Sequence, residues 1–200
     1  MEEIQQIIRD SIDVKEALLR DAELQDTLRN VIEKMALCLR SGGRLLLCGN
    51  GGSASDAQHI AAELSGRFYL DRPPLDAEAL HVNTSFLTAV ANDYGYEAIF
   101  SRAVAAKGRK GDFLIALSTS GNSPNVIAAA ETAQEMGMVT VGLTGANGGS
   151  LTPHCDYLLT VPSKDTPRIQ EAHILIGHIM CKQLEDLLFV QSPDDAKPNA

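Results

Sequence analysis

The 200-residue chain contains no tryptophan, and aromatic residues make up only 4% of it. Stacking platforms for nucleic-acid bases are therefore scarce. Positive charge is also in short supply: 17 Lys and Arg stand against 26 Asp and Glu, a formal net charge of -9. That balance argues against a basic groove tracking a phosphate backbone, so no nucleic-acid partner is expected. A small phosphate pocket remains open, because backbone N–H groups and hydroxyls bind phosphate without net positive charge. Long apolar runs are missing too. None approaches the ~18 residues of a membrane span. The opening "MEEIQQIIRD" is acidic and amphipathic, unlike a secretory leader. No membrane partner is expected. The four cysteines, Cys38, Cys48, Cys155 and Cys181, form no CxxC pair and fit no zinc-ribbon or disulfide framework. Cys48 ends an apolar strand, where a buried free thiol is the expectation. These absences together suit a reducing cytoplasm.

What is present is globular material, 44% hydrophobic and 22% charged, enough to bury a real core. Ile4, Ile7, Ile8, Leu18, Leu19 and Leu24 recur at helical spacing, and Leu28, Val31, Ile32, Met35, Ala36 and Leu39 continue the pattern. They predict two helices, bent near residues 20–24 and ending at Gly42-Gly43. Strands and helices then alternate. The strand candidates are Arg44–Cys48, Ala79–Val82, Asp112–Leu117, Val139–Leu143 and Tyr157–Val161. The helix candidates are Ala54–Ser65, Ser85–Ala91, Tyr96–Ala106, Pro124–Met136 and Arg168–Phe189. Short apolar runs such as "FLIAL" between helices predict an α/β fold with a parallel sheet covered on both faces. In such sheets ligands gather at the carboxyl ends of the strands. The tail "QSPDDAKPNA", residues 191–200, is polar and expected to be disordered. There is no internal repeat.

Two loops follow strand ends. "GNGGSAS" comes after "LLLC", and "STSGNSPN" comes after "FLIAL". Neither is a Walker loop, since GK[ST] is absent, and neither matches GxGxxG. Small residues let backbone N–H groups approach an anion, and hydroxyls add donors. Ser123 is placed to cap a helix with Pro124 at its first position, so that the helix N-terminus faces a phosphate. Ordinary strand-to-helix turns also use Gly, Ser and Asn. The hydroxyls between Ser118 and Ser123 exceed what one turn and one cap require.

His59 and Glu63 are four residues apart, so on a helix they share a face and can converge on one ligand or metal. A solvated helix face is the plainer account of such a pair. The last helix, "RIQEAHILIGHIMCKQLEDLL", is mostly apolar but interrupted by Gln170, Glu171, His173 and His178. His178 lies between Gly177 and Ile179. It reads either as a buried structural histidine or as one poised for proton transfer.

"CGNGGSASDAQHIAAELSGRF", "AVANDYGYEAIFSR", "ALSTSGNSPNVIAA", "LTGANGGSL" and "RIQEAHILIGH" together resemble the sugar isomerase (SIS) family, and within it the phosphoheptose isomerases. The similarity runs from about residue 30 to residue 190. It implies a three-layer α-β-α SIS domain over residues 43–190 with a five-stranded parallel sheet. It also implies that residues 1–42 are helices used in assembly, and that the chain forms a homotetramer with interfacial active sites. The implied reaction converts sedoheptulose 7-phosphate to D-glycero-D-manno-heptose 7-phosphate through an enediol, the first step of bacterial heptose biosynthesis. By the same resemblance, Ser53, Ser118, Thr119, Ser120 and Ser123 match phosphate-binding positions. Asn50, Gly51, Gly52, Asn92 and Asp93 match positions lining the sugar, and Gln170 can hydrogen-bond it. Glu63 matches the general base and His178 the partner acid/base. His59, Glu63, Gln170 and His178 match a zinc site. Relatives often carry an acid just before the Arg of "RIQE"; here Pro167 stands there, with Asp165 two residues earlier, so no role is carried over to that position. One non-catalytic relative binds the replication initiator. It resembles this chain less at Glu63 and His178, which favours the enzyme over a regulator. A sugar-phosphate sensor is a third reading.

Along one regular helix Gln170 and His178 stand ~12 Å apart at ~1.5 Å per residue. A zinc site using both therefore needs an irregular first turn or a second subunit. The second is the expectation.

Overall fold

A computed structural model describes residues 2–190, so the tail at 191–200 lies outside the described residues. In chain order the elements are α1 (Glu2–Arg20), α2 (Ala22–Arg40), β1 (Leu45–Gly49), α3 (Gly52–Ser65), β2 (Ala77–Ala79), α4 (Thr84–Tyr94) and α5 (Ile99–Lys107). They continue with β3 (Phe113–Leu117), α6 (Pro124–Glu135), β4 (Val139–Gly145), β5 (Tyr157–Val161) and α7 (Thr166–Phe189). Single 3-10 segments cover Tyr96–Ala98 and Gly149–His154. The five strands are all parallel, in the order β2-β1-β3-β4-β5.

Side chains of a strand alternate between faces, and here both faces are dry. Leu45, Leu47, Ile115, Leu117, Val141 and Leu143 join one core with α2, α3 and α7. Leu46, Cys48, Leu114 and Ala116 join a second core with α5 and α6. Two apolar layers separated by a sheet give the three-layer α-β-α architecture. They also explain why β1 and β3 read as unbroken apolar runs. Cys48 is buried and free, as expected.

The break between the first two helices falls at Asp21, whose carboxylate accepts a hydrogen bond from Leu24 N at 2.9 Å and caps α2. α2 buries Leu24, Leu28, Val31, Ile32, Met35 and Ala36 in the same core as the sheet. α1 buries only Leu18 and leaves Ile4, Ile7, Ile8, Ile12 and Leu19 exposed. Residues 2–42 therefore divide into one core helix and one helix with an open apolar side. Among the described residues no helix is long and apolar enough to cross a membrane.

Candidate active site

The strand order reverses direction between β1 and β3. After β1 the chain crosses to β2 on one side; after β3 it crosses to β4 on the other. The loops leaving two adjacent strands thus part around a crevice at their carboxyl ends, where open α/β sheets bind ligands. Both serine-rich loops sit there.

In the first loop Gly51 has φ +54 and no side-chain cap stands at the start of α3. Ser53 is buried in the first turn. A Cβ on Gly52 would fall 2.3 Å from Gln170 Nε2, so the bare glycine lets the Gln170 amide lie against this turn. In the second loop Ser123 occupies the cap position of α6 with Pro124 after it, but makes no capping hydrogen bond. Its hydroxyl instead shares a 3.0 Å hydrogen bond with Ser118 Oγ. Two helix N-termini at one crevice therefore lack side-chain acceptors for their first N–H groups, the arrangement that suits an anion. Ser120 Oγ accepts from Asn122 N at 3.1 Å, and Asn122 Oδ1 accepts from Ser150 N at 2.9 Å. Gly145 N donates to Thr119 O at 3.0 Å, tying the loop to the end of β4.

Asn50 and Asn125 bridge the two loops through a reciprocal amide pair, with Nδ2 to Oδ1 distances of 2.8 and 2.9 Å. Tyr96 Oη donates to Asn50 Oδ1 at 3.0 Å. Asn92 and Asp93 are exposed near the end of α4, where Asn92 Nδ2 donates to Asp93 Oδ1 at 2.9 Å. The hydrogen bond from this region to the crevice comes from Tyr96, not from Asn92 or Asp93.

A second cluster lies farther along α3. His59 Nε2 stands 3.1 Å from His178 Nε2 and 3.4 Å from Glu63 Oε1. Phe68 stacks on the His178 ring, with centroids 5.6 Å apart and planes at 28°. His178 is therefore not a core histidine. That role belongs to His173, fully buried, whose Nε2–H donates to Thr144 O at 3.2 Å. Burial pushes the His173 pKa down to about 4, against the raising effect of that hydrogen bond.

The structure does not gather all four expected zinc ligands. Gln170 sits in the regular first turns of α7 beside Gly52, while His178 lies eight residues on, roughly 12 Å along the helix. Among the described residues, no group of three or more His, Cys, Asp and Glu is arranged to hold a metal ion. The donor types nonetheless suit zinc. The cradle and the second cluster are likewise apart: Ser53 and Glu63 are separated by about 15 Å along α3.

Several polar residues at the site carried no recognisable signal in the sequence. Asp56 is buried against Gln170, with Oδ2 unpartnered. Burial pushes its carboxyl pKa up, opposed by the Gln170 hydrogen bond and the His59 charge. Its position three residues before His59 was the one available hint. Asn125 and Tyr96 are identified only by their meeting with Asn50.

The family follows from comparison of the whole chain. Residues 12–145 match the SIS domain family. The phosphoheptose isomerase of Aneurinibacillus thermoaerophilus is 54% identical over 182 residues, covering 91% of this chain and 92% of that protein. The chain belongs to the SIS family, in the branch of the phosphoheptose isomerases. The Clostridium acetobutylicum phosphoheptose isomerase is 50% identical, covering 94% of this chain and 96% of its own. Among solved structures, the Neisseria gonorrhoeae phosphoheptose isomerase superposes with a TM-score of 0.86 at 44% identity, covering 92% of this SIS chain and 98% of that one. These matches reach past residue 145, so they also span the α7 residues Gln170 and His178.

Proposed function

We propose that this SIS-family chain is an aldose–ketose isomerase that converts sedoheptulose 7-phosphate to D-glycero-D-manno-heptose 7-phosphate, opening heptose biosynthesis. The observation that carries the reading is the meeting of Glu63 and His178 at His59, from helices more than a hundred residues apart in sequence. The reaction moves a proton between C1 and C2 through a cis-enediol. It needs a base at carbon and an acid/base near the oxygens. Glu63 takes the carbon-bound proton and returns it to the neighbouring carbon. His178 moves the proton between O1 and O2. Ser53, Ser118, Thr119, Ser120 and Ser123, with the uncapped starts of α3 and α6, hold the phosphate. That remote binding orients C1 and C2. Asn50, Gly51, Gly52, Asn92, Asp93 and Gln170 line the open-chain sugar.

The separation of cradle and acid–base cluster along α3 supports a site shared between copies, the cradle of one chain facing Glu63 and His178 of another. A homotetramer with interfacial sites fits this. The same assembly would bring Gln170 of one copy toward His59, Glu63 and His178 of another, and these four would hold zinc. Bound there, zinc would orient and polarise the substrate oxygens, and Glu63 would serve as base only while not ligating it. Incubating the purified protein with sedoheptulose 7-phosphate should yield the aldose. No conversion, together with saturable binding of the sugar phosphate, would mark a sensor instead.

A further inference from the structure

Among the described residues Arg72 and Glu185 are the most deeply buried ion pair, with side chains 2% and 0% exposed and Arg72 Nε donating to Glu185 Oε1 at 3.0 Å. Replacing such a pair with apolar side chains is often neutral or stabilising, so stability alone does not account for it. Their partners are more informative. Glu185 lies on α7 seven residues after His178, on the same face of the helix. Its carboxylate accepts three consecutive backbone N–H groups, from Phe68 at 3.0 Å, Tyr69 at 2.9 Å and Leu70 at 3.1 Å. Phe68 is the residue whose ring stacks on His178.

Arg72 works in the other direction. Its Nη1 donates to Leu64 O at 2.6 Å and to Gly66 O at 3.1 Å, and its Nη2 donates to Glu63 O at 2.8 Å. These are carbonyls at and just past the end of α3, which have no partner within the helix. A cation there also opposes the negative end of the helix dipole. The two side chains thus tie together the last turn of α3, which carries Glu63, the loop that carries Phe68, and the helix that carries His178.

We propose that Arg72 and Glu185 are positioning residues for proton transfer, fixing His178 through the Phe68 ring and Glu63 through the last turn of α3. The proposal rests on Glu63 and His178 being the acid–base pair. Neither Arg72 nor Glu185 has access to the sugar; each acts on groups that do. Phe68 is the link that can be cut without unpairing a buried charge.

The test measures kcat and KM for sedoheptulose 7-phosphate below the melting transition, in Phe68→Leu, Phe68→Tyr, Glu185→Gln and Glu63→Gln. Phe68→Leu keeps an apolar side chain but loses the ring plane. It should lower kcat about tenfold with KM within about twofold, because misplacing a catalytic group affects turnover steeply. Phe68→Tyr should restore kcat. Glu185→Gln, where it folds, should show the same fall in kcat. Wild-type kcat in Phe68→Leu, or a change confined to KM, overturns the positioning role while an inactive Glu63→Gln leaves the acid–base pair standing. An active Glu63→Gln overturns the acid–base pair, and the positioning role falls with it.

Discussion

Glu63→Gln keeps the outline of the side chain and removes its basicity. Isomerisation should fall by at least about 100-fold, the usual scale for losing a general base, with the circular dichroism and sedimentation of the protein unchanged. Retained activity would sink the mechanism. His173 poses a different experiment. Its pKa is held at about 4 in the fold against 6.5 for a free imidazole. Between those values the unfolded chain binds the extra proton, so the contribution is fully present above about pH 6.5 and is lost as pH falls toward 4. The loss over that window is roughly 3 kcal/mol. Urea midpoints measured at pH 7.5 and pH 5 should therefore differ less in His173→Gln than in the wild-type chain. From the residues alone His178 reads either as a structural or as a proton-transfer histidine, and His173 only as a break in the apolar pattern. One contacts Thr144 O and the other His59, and only the folded positions of β4 and α3 separate them. Asp56, Asn125 and Phe68 were illegible for the same reason, since their partners lie far away in the chain.

Among elements, the Ser118–Ser123 turn is tightly confined. Gly121 has φ +66, and a Cβ there would fall 2.0 Å from Gly148 O. Gly121→Val should destabilise the protein by more than about 2 kcal/mol, adding a steric clash to a left-handed backbone. It should lower the melting temperature and raise KM together, because the turn is also the proposed phosphate cradle. Most elements were legible. β1 and β3 are apolar runs bounded by turn residues, and the helices after them keep a helical period. The edge strand was not. "ALHV" suggested pairing at Ala79–Val82, whereas β2 is Ala77–Ala79, set opposite Leu45–Leu47. An edge strand buried on one side has a weak pattern of its own, and its register comes from β1. The expected helix Tyr96–Ala106 likewise begins as a 3-10 turn, and α5 starts only at Ile99. Pro167 lies in the first turn of α7, where a missing N–H costs nothing.

At the level of the whole molecule, the open side of α1 and an apolar groove of about 400 Å³ between α1, α2 and α7 are the surfaces the proposed tetramer would use. Ile8→Lys should reduce the assembled fraction in sedimentation velocity, and activity per chain should fall in proportion. Zinc is tested at the same level. Dialysis against a chelator should remove activity, and restoring zinc should return it. Full activity in a metal-free preparation would end the metal proposal. The fold was legible as a whole because alternating elements leave few topologies open. The distance along α3 between Ser53 and Glu63 was not, since spacing alone does not say which copy faces which. In the proposed interfacial site, that distance would make substrate and quaternary structure reciprocal ligands of one equilibrium. A sugar phosphate gripping two copies must tighten their association by the factor with which association tightens its own binding. Diluted enzyme should therefore lose specific activity, and a non-reacting sugar phosphate added before dilution should keep the oligomer together. In that assembly the concentration of the protein itself would become a control on its turnover.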